Sequence, residues 1–91
     1  VSIIPDCFTV AEYARGSITN TDPAIRRKAL DYLRQMSEIA LEMNCGTVNL
    51  WMAQDGYDYL LTADYNQERE WLREGTTALA KEFPTLKFAL E

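Results

Sequence analysis

The chain has 91 residues, a formal net charge of −5 and no histidine, with 47% hydrophobic and 25% charged residues. Those fractions are ordinary for globular sequence and exclude disordered or collagen-like chains, while the length allows one small domain or part of a larger one. The absent histidine removes a Ser–His–Asp triad, a His-ligated zinc site and a His general base from within this chain.

Val1–Ile4 is a β-branched run stopped by Pro5 and reads as a buried strand. Residues 5–22 read as irregular. Asp22 followed by Pro23 is a strong helix start, because the carboxylate caps free backbone N–H groups and proline has none to waste. The helix is predicted from Pro23 to Asn44. Ile25, Ala29, Tyr32, Met36, Ile39 and Met43 recur at helical spacing, and Leu33 and Ala40 widen the stripe. Arg26-Arg27-Lys28 is the chain's basic run and reads as a solvated face of that helix. Asn44 or Gly46 can take the left-handed cap conformation that ends it.

Thr47–Trp51 reads as a second strand, and Met52–Thr62 as a loop around the turn dipeptide Asp55-Gly56. A second helix is predicted from about Asp64 to Phe83, with Trp71, Leu72, Ala78, Leu79 and Phe83 as its apolar positions. Gly75 inside it costs about 1 kcal/mol relative to alanine, so a close approach of helix to sheet is expected there. Pro84 stops the helix, and Leu86–Glu91 is a third strand. Strand, helix, strand, helix, strand with helices of this length implies an α/β fold with parallel strands and right-handed crossovers.

No run approaches the roughly 20 apolar residues of a spanning helix, so no membrane partner is expected. The N-terminus carries no signal-peptide pattern and no initiating methionine, so a cytoplasmic protein is expected, with this chain as a piece of something longer. The acidic balance argues against nucleic acid, which needs clustered Lys and Arg. It is uneven: residues 1–45 carry five basic and six acidic groups, net −1, and residues 46–91 carry four and eight, net −4. Cys7 follows the first strand and Cys45 precedes the second. They therefore lie about a strand length apart, ~17 Å, beyond the roughly 7 Å that a disulfide spans.

In parallel α/β folds the ligand site lies at the carboxyl ends of the strands. Here the connections into the strands, at Cys45-Gly46 and Pro84-Thr85, are short. Those leaving the strands, 5–22 and 52–63, are long and rich in aromatic and polar groups. Three features fall at that end. Trp51 offers an apolar wall or is simply a core aromatic. Gln54, Asp55 and Tyr57 lie in a stretch whose amides, carboxylates and phenols suit hydroxyl-rich ligands, or form a solvated turn. Glu91 is a metal ligand or general base if it points into a barrel mouth, and a plain surface carboxylate otherwise.

The segment Gly16–Tyr32 resembles the loop and helix after the third strand of xylose-isomerase-like TIM barrels, in the subset of sugar isomerases and epimerases that includes the rhamnose-isomerase type. Asn49–Tyr59 is similar to that subset's segment after the fourth strand. Phe88-Ala89-Leu90-Glu91 resembles its fifth strand. The resemblance implies that residues 1–91 are an internal piece, about strands 3 to 5, of a TIM (β/α)8 barrel. It also implies a divalent-metal enzyme, using Mn2+, Mg2+ or a similar ion, that interconverts aldoses and ketoses or epimerises ketoses. Glu91 would be a metal ligand with a part in proton transfer. Trp51 and Phe8 would wall the sugar pocket, and Gln54, Asp55 and Tyr57 would shape its mouth or meet a neighbouring subunit of a homo-oligomer. The family's other ligands come from later strands, so the piece alone is expected to be inactive. Leu60-Leu61 stands where relatives carry Pro-Phe. The competing expectations are a non-catalytic α/β interaction module or an inactive barrel fragment. The DNA-repair endonuclease branch of the same superfold fits poorly with the acidic balance.

Overall fold

A computed structural model describes residues 2–7, 10–51 and 64–90. Three parallel strands, β1 (Ser2–Ile3), β2 (Thr47–Leu50) and β3 (Lys87–Leu90), form one sheet in the order β1-β2-β3. Two helices, α1 (Pro23–Glu42) and α2 (Tyr65–Glu82), make the crossovers between them. Ser2 pairs with Thr47 and Thr47 with Lys87, and the register runs on to Leu50 beside Leu90. The predicted element order holds. β1 differs from its prediction as a buried strand: Ser2 is exposed, Ile3 is half-buried, and Ile4 is 56% exposed. Proline cannot donate to a ladder, so Pro5 blocks further pairing and leaves β1 as a short outer strand.

The start of α1 follows from its sequence. Asp22 Oδ1 accepts the Ala24 N–H at 2.9 Å, and Pro23 occupies the first turn. The end follows as closely. Asn44 adopts φ 55°, the Cys45 N–H reaches Ala40 O at 2.8 Å, and the Asn44 N–H reaches Leu41 O at 3.1 Å. That bond pair is the Schellman motif, with asparagine rather than Gly46 in the left-handed position. Ala40 and Cys45, the residues this motif brings together, are both buried. α2 is capped by Asp64, whose Oδ1 accepts the Gln67 N–H at 3.1 Å.

Both helices lie on one side of the sheet. Val48 and Leu50 of β2 are buried there with Ala29, Leu33 and Ala40 of α1 and with Leu79 and Phe83 near the end of α2. Thr47 and Asn49 alternate to the other side and are half-buried, while their β3 neighbours Lys87 and Ala89 are exposed. The buried line of α1 is rotated from the predicted stripe. It runs Ala29, Leu33, Ser37, Ala40, and it leaves Ile39 and Met43 41% and 68% exposed. Ser37 is tolerated inside because its hydroxyl donates to Leu33 O at 2.8 Å. Arg34 ties the helices at the surface, donating to Glu82 at 2.8 Å and to Asp31 at 2.9 Å.

Gly75 also departs from expectation. Its neighbour is Ile18 of the loop after β1, not the sheet, and a Cβ built there would meet Ile18 Cδ1 at 3.4 Å. Cys7 and Cys45 are both buried and are not joined in a disulfide.

Candidate functional site at the carboxyl ends of the strands

Parallel strands with helical returns send all three carboxyl ends to the same edge of the sheet, and the long connections emerge there. Trp51 directly follows Leu50 and is 44% exposed at that edge. The strand alternation puts it on the side of Asn49, away from the helices. Leu50 pairs with Leu90, so the residue before Trp51 lies beside the residue before Glu91. Glu91 itself, with Phe8, Gln54, Asp55 and Tyr57, lies outside the described residues.

The connection after β1 is better packed than an irregular segment needs to be. Ala11–Tyr13 makes a single 3-10 turn, and Tyr13 is buried. Gly16, Ser17, Ile18, Thr19 and Asn20 are all buried as well. Gly16 adopts φ 108°, a conformation that disfavours any side chain. Asn20 then closes the turn in both directions: its Nδ2 donates to Gly16 O at 2.7 Å, and its Oδ1 accepts the Asp22 N–H at 2.9 Å. A buried loop must satisfy its own backbone, and this side chain does so.

The predicted solvated face holds for Arg27 and Lys28, which are exposed, and is corrected at Arg26. Arg26 is half-buried, donates through Nη1 to Asn20 O at 2.7 Å and to Thr21 O at 3.2 Å, and lies with Cζ 4.0 Å from the centre of the Trp71 ring. Lys28 pairs with Glu12 at 2.6 Å, and that hydrogen bond holds its ammonium above the ordinary lysine range. Arg27, with Tyr13, Lys28 and Tyr32, lines a groove of about 600 Å3 along the outer flank of α1. Trp51 does not line this groove. Burial pushes the Tyr13 phenol above its usual value, and Cys7 adds to the rise.

Among the described residues no three His, Cys, Asp or Glu side chains gather as a metal site. Those residues alone do not fit a divalent cation. No helix among them is long and apolar enough to cross a membrane.

The chain is similar to xylose isomerase. It is 34% identical over 67 residues to the xylose isomerases of Escherichia coli K12, Shigella boydii serotype 18 and Escherichia fergusonii. The matched segment is 74% of this chain, and the chain spans 15% of the length of those relatives. No family model matches. Sequence reasoning missed Asn20 and Arg26. The signal for Arg26 was present, since a cation in the first turns of a helix opposes the helix dipole and needs a local reason.

Proposed function

We propose that this chain is the portion around strands 3 to 5 of a (β/α)8 barrel acting as a sugar isomerase or epimerase, which interconverts aldoses and ketoses or epimerises ketoses. The observation that carries this reading is the parallel register ending at Leu50 beside Leu90, immediately before Trp51 and Glu91 in the chain, within a protein 34% identical over 67 residues to xylose isomerase. The side of the sheet away from the helices, half-buried at Thr47 and Asn49 and exposed at Lys87 and Ala89 among the described residues, supports the barrel. Parallel sheets are normally covered on both faces, and closure into a barrel covers the side that carries Thr47, Asn49, Lys87 and Ala89. The exposed Ile39 and Met43 flank of α1 is the surface against which the neighbouring helix of such a ring packs.

On this reading Trp51 and Phe8 form the apolar wall of the sugar site, and Gln54, Asp55 and Tyr57 offer hydrogen bonds to hydroxyl groups. Glu91 would contribute one oxygen ligand to a divalent cation such as Mn2+ or Mg2+, which would polarise the sugar oxygens, and would take part in the proton transfer. The other ligands of that cation come from outside this chain. The whole protein is proposed to be a cytoplasmic homo-oligomer. The test is aldose–ketose conversion by the full-length protein, with and without a chelator. Glu91→Gln is expected to lower turnover on the order of 10²–10⁴-fold, and unchanged turnover in that variant would sink the assignment of Glu91.

A further inference from the structure

Arg26 occupies a position that electrostatics alone disfavours. It is the fourth residue of α1, close to the end of the helix where the aligned peptide dipoles are positive. Its surroundings supply the reason. One guanidinium nitrogen donates to two carbonyls at the end of the loop after β1, Asn20 O at 2.7 Å and Thr21 O at 3.2 Å. The guanidinium also lies over Trp71, with Cζ 4.0 Å from the ring centre. Trp71 belongs to the N-terminal half of α2, the helix that receives the connection from β2. A single side chain therefore grips the closing residues of one strand-to-helix connection and the helix that follows the other.

We propose that Arg26 is a positioning residue, which locks the loop ending at Asn20 and Thr21 onto α2 so that this loop and the N-terminal half of α2 move as one body beside the candidate sugar site. The functional half of this proposal rests on placing the site at the strand ends. Arginine suits the task in a way that lysine does not. Its planar fork serves carbonyl acceptors while its flat face stays on the indole, and a lysine ammonium has no such face. The rest of the loop is prepared for this grip. Asn20 binds both Gly16 O and the Asp22 N–H, so its carbonyl is presented in a fixed direction. Arg27 and Lys28 do not share the role: Lys28 is held by Glu12, and Arg27 lines the groove with it.

The experiment compares Arg26→Met and Arg26→Lys with the parent in the full-length protein. Amide hydrogen exchange is followed over residues 16–24, together with KM and kcat for sugar turnover. In Arg26→Met, exchange at Asn20 to Asp22 is expected to rise about tenfold or more, since two charge-assisted bonds are lost. KM should rise about tenfold with kcat within about twofold, because loops that hold substrate are loosened while the reacting groups are untouched. Arg26→Lys keeps the charge and is expected to retain most of the faster exchange. Unaltered exchange in Arg26→Met, or parental exchange in Arg26→Lys, overturns the clamp. Faster exchange with unaltered KM overturns the positioning role. Exchange needs no turnover, so failure of the isomerase reading and failure of the clamp are separately visible.

Discussion

Where the strands begin, the chain turns tightly: α1 reaches β2 through residues 43–46, and α2 reaches β3 through residues 83–86. These turns are held by backbone bonds, such as Cys45 N–H to Ala40 O and Lys87 N–H to Gly46 O at 2.9 Å. Where the strands end, the chain takes residues 4–22 and 51–64 for the same topological task. The first of these has backbone turns of its own, such as Gly16 N–H to Tyr13 O at 2.9 Å, and adds side-chain bonds to them: Asn20 on Gly16 O, Arg26 on Asn20 O, and Lys28 on Glu12. Backbone closure is indifferent to most side chains and can be short. Side-chain closure needs particular residues in particular places, and so leaves a surface that can be specialised. The difference teaches that the two ends of this sheet are closed by different means, and it falls at the two ends between which parallel α/β enzymes divide stability and function.

Asn20 offers the largest effect with which to break that division. Replacing Asn20 by alanine strands Gly16 O in a buried loop and removes the acceptor of the part-buried Asp22 N–H, at a cost of about 1–3 kcal/mol. Urea denaturation of the protein measures it. A loss below about 0.5 kcal/mol would mean that the loop does not depend on this side chain and that the contrast between the ends is false.

At the opposite end the expected effect is smaller. Asn44 is left-handed at φ 55°, and alanine there costs about 1 kcal/mol, because its Cβ crowds the following carbonyl without asparagine's local hydrogen bonding to compensate. Midpoint and slope of the same unfolding curve report it. Turnover and KM should stay at parental values, and a changed KM in Asn44→Ala would carry function to the end assigned to stability.

These two positions also show how far the sequence could be read. The cap at Asp22, the short turns and the order of elements are local properties, set by a few adjacent residues and backbone preferences. They were legible for that reason. The choice between Asn44 and Gly46 was left open, since both residues reach positive φ, and the bond from Cys45 to Ala40 decides it. What stayed hidden depends on neighbours remote in sequence. Ser37 lies outside the predicted apolar stripe, yet it is buried, with its hydroxyl returned to Leu33 O. Ile39 and Met43 read as core, yet they stay 41% and 68% exposed among the described residues. Arg26 reads as part of a solvated run until Trp71, far along the chain, is beside it. Of the candidate site, Trp51 is placed at the strand ends, whereas Glu91, Phe8, Gln54, Asp55 and Tyr57 lie outside the described residues.

The smallest predicted effect sharpens the comparison where the loop after β1 meets α2. Glycine inside α2 was expected to mark a tight approach, but a Cβ at position 75 would touch only the Ile18 side chain, at 3.4, 3.7 and 4.0 Å. Those are ordinary packing distances, and Ile18 belongs to the loop after β1. Alanine at 75 recovers helix propensity of just under about 1 kcal/mol and fills space rather than colliding. Gly75→Ala is therefore expected to stabilise the protein by several tenths of a kcal/mol, read as a rise in the urea midpoint at constant slope. A fall of similar size would mean that Ile18 cannot yield by even a few tenths of an ångström. The loop after β1 would then be clamped against α2 by packing as well as by Arg26, and the strand-end edge would be stiffer than its hydrogen bonds alone require.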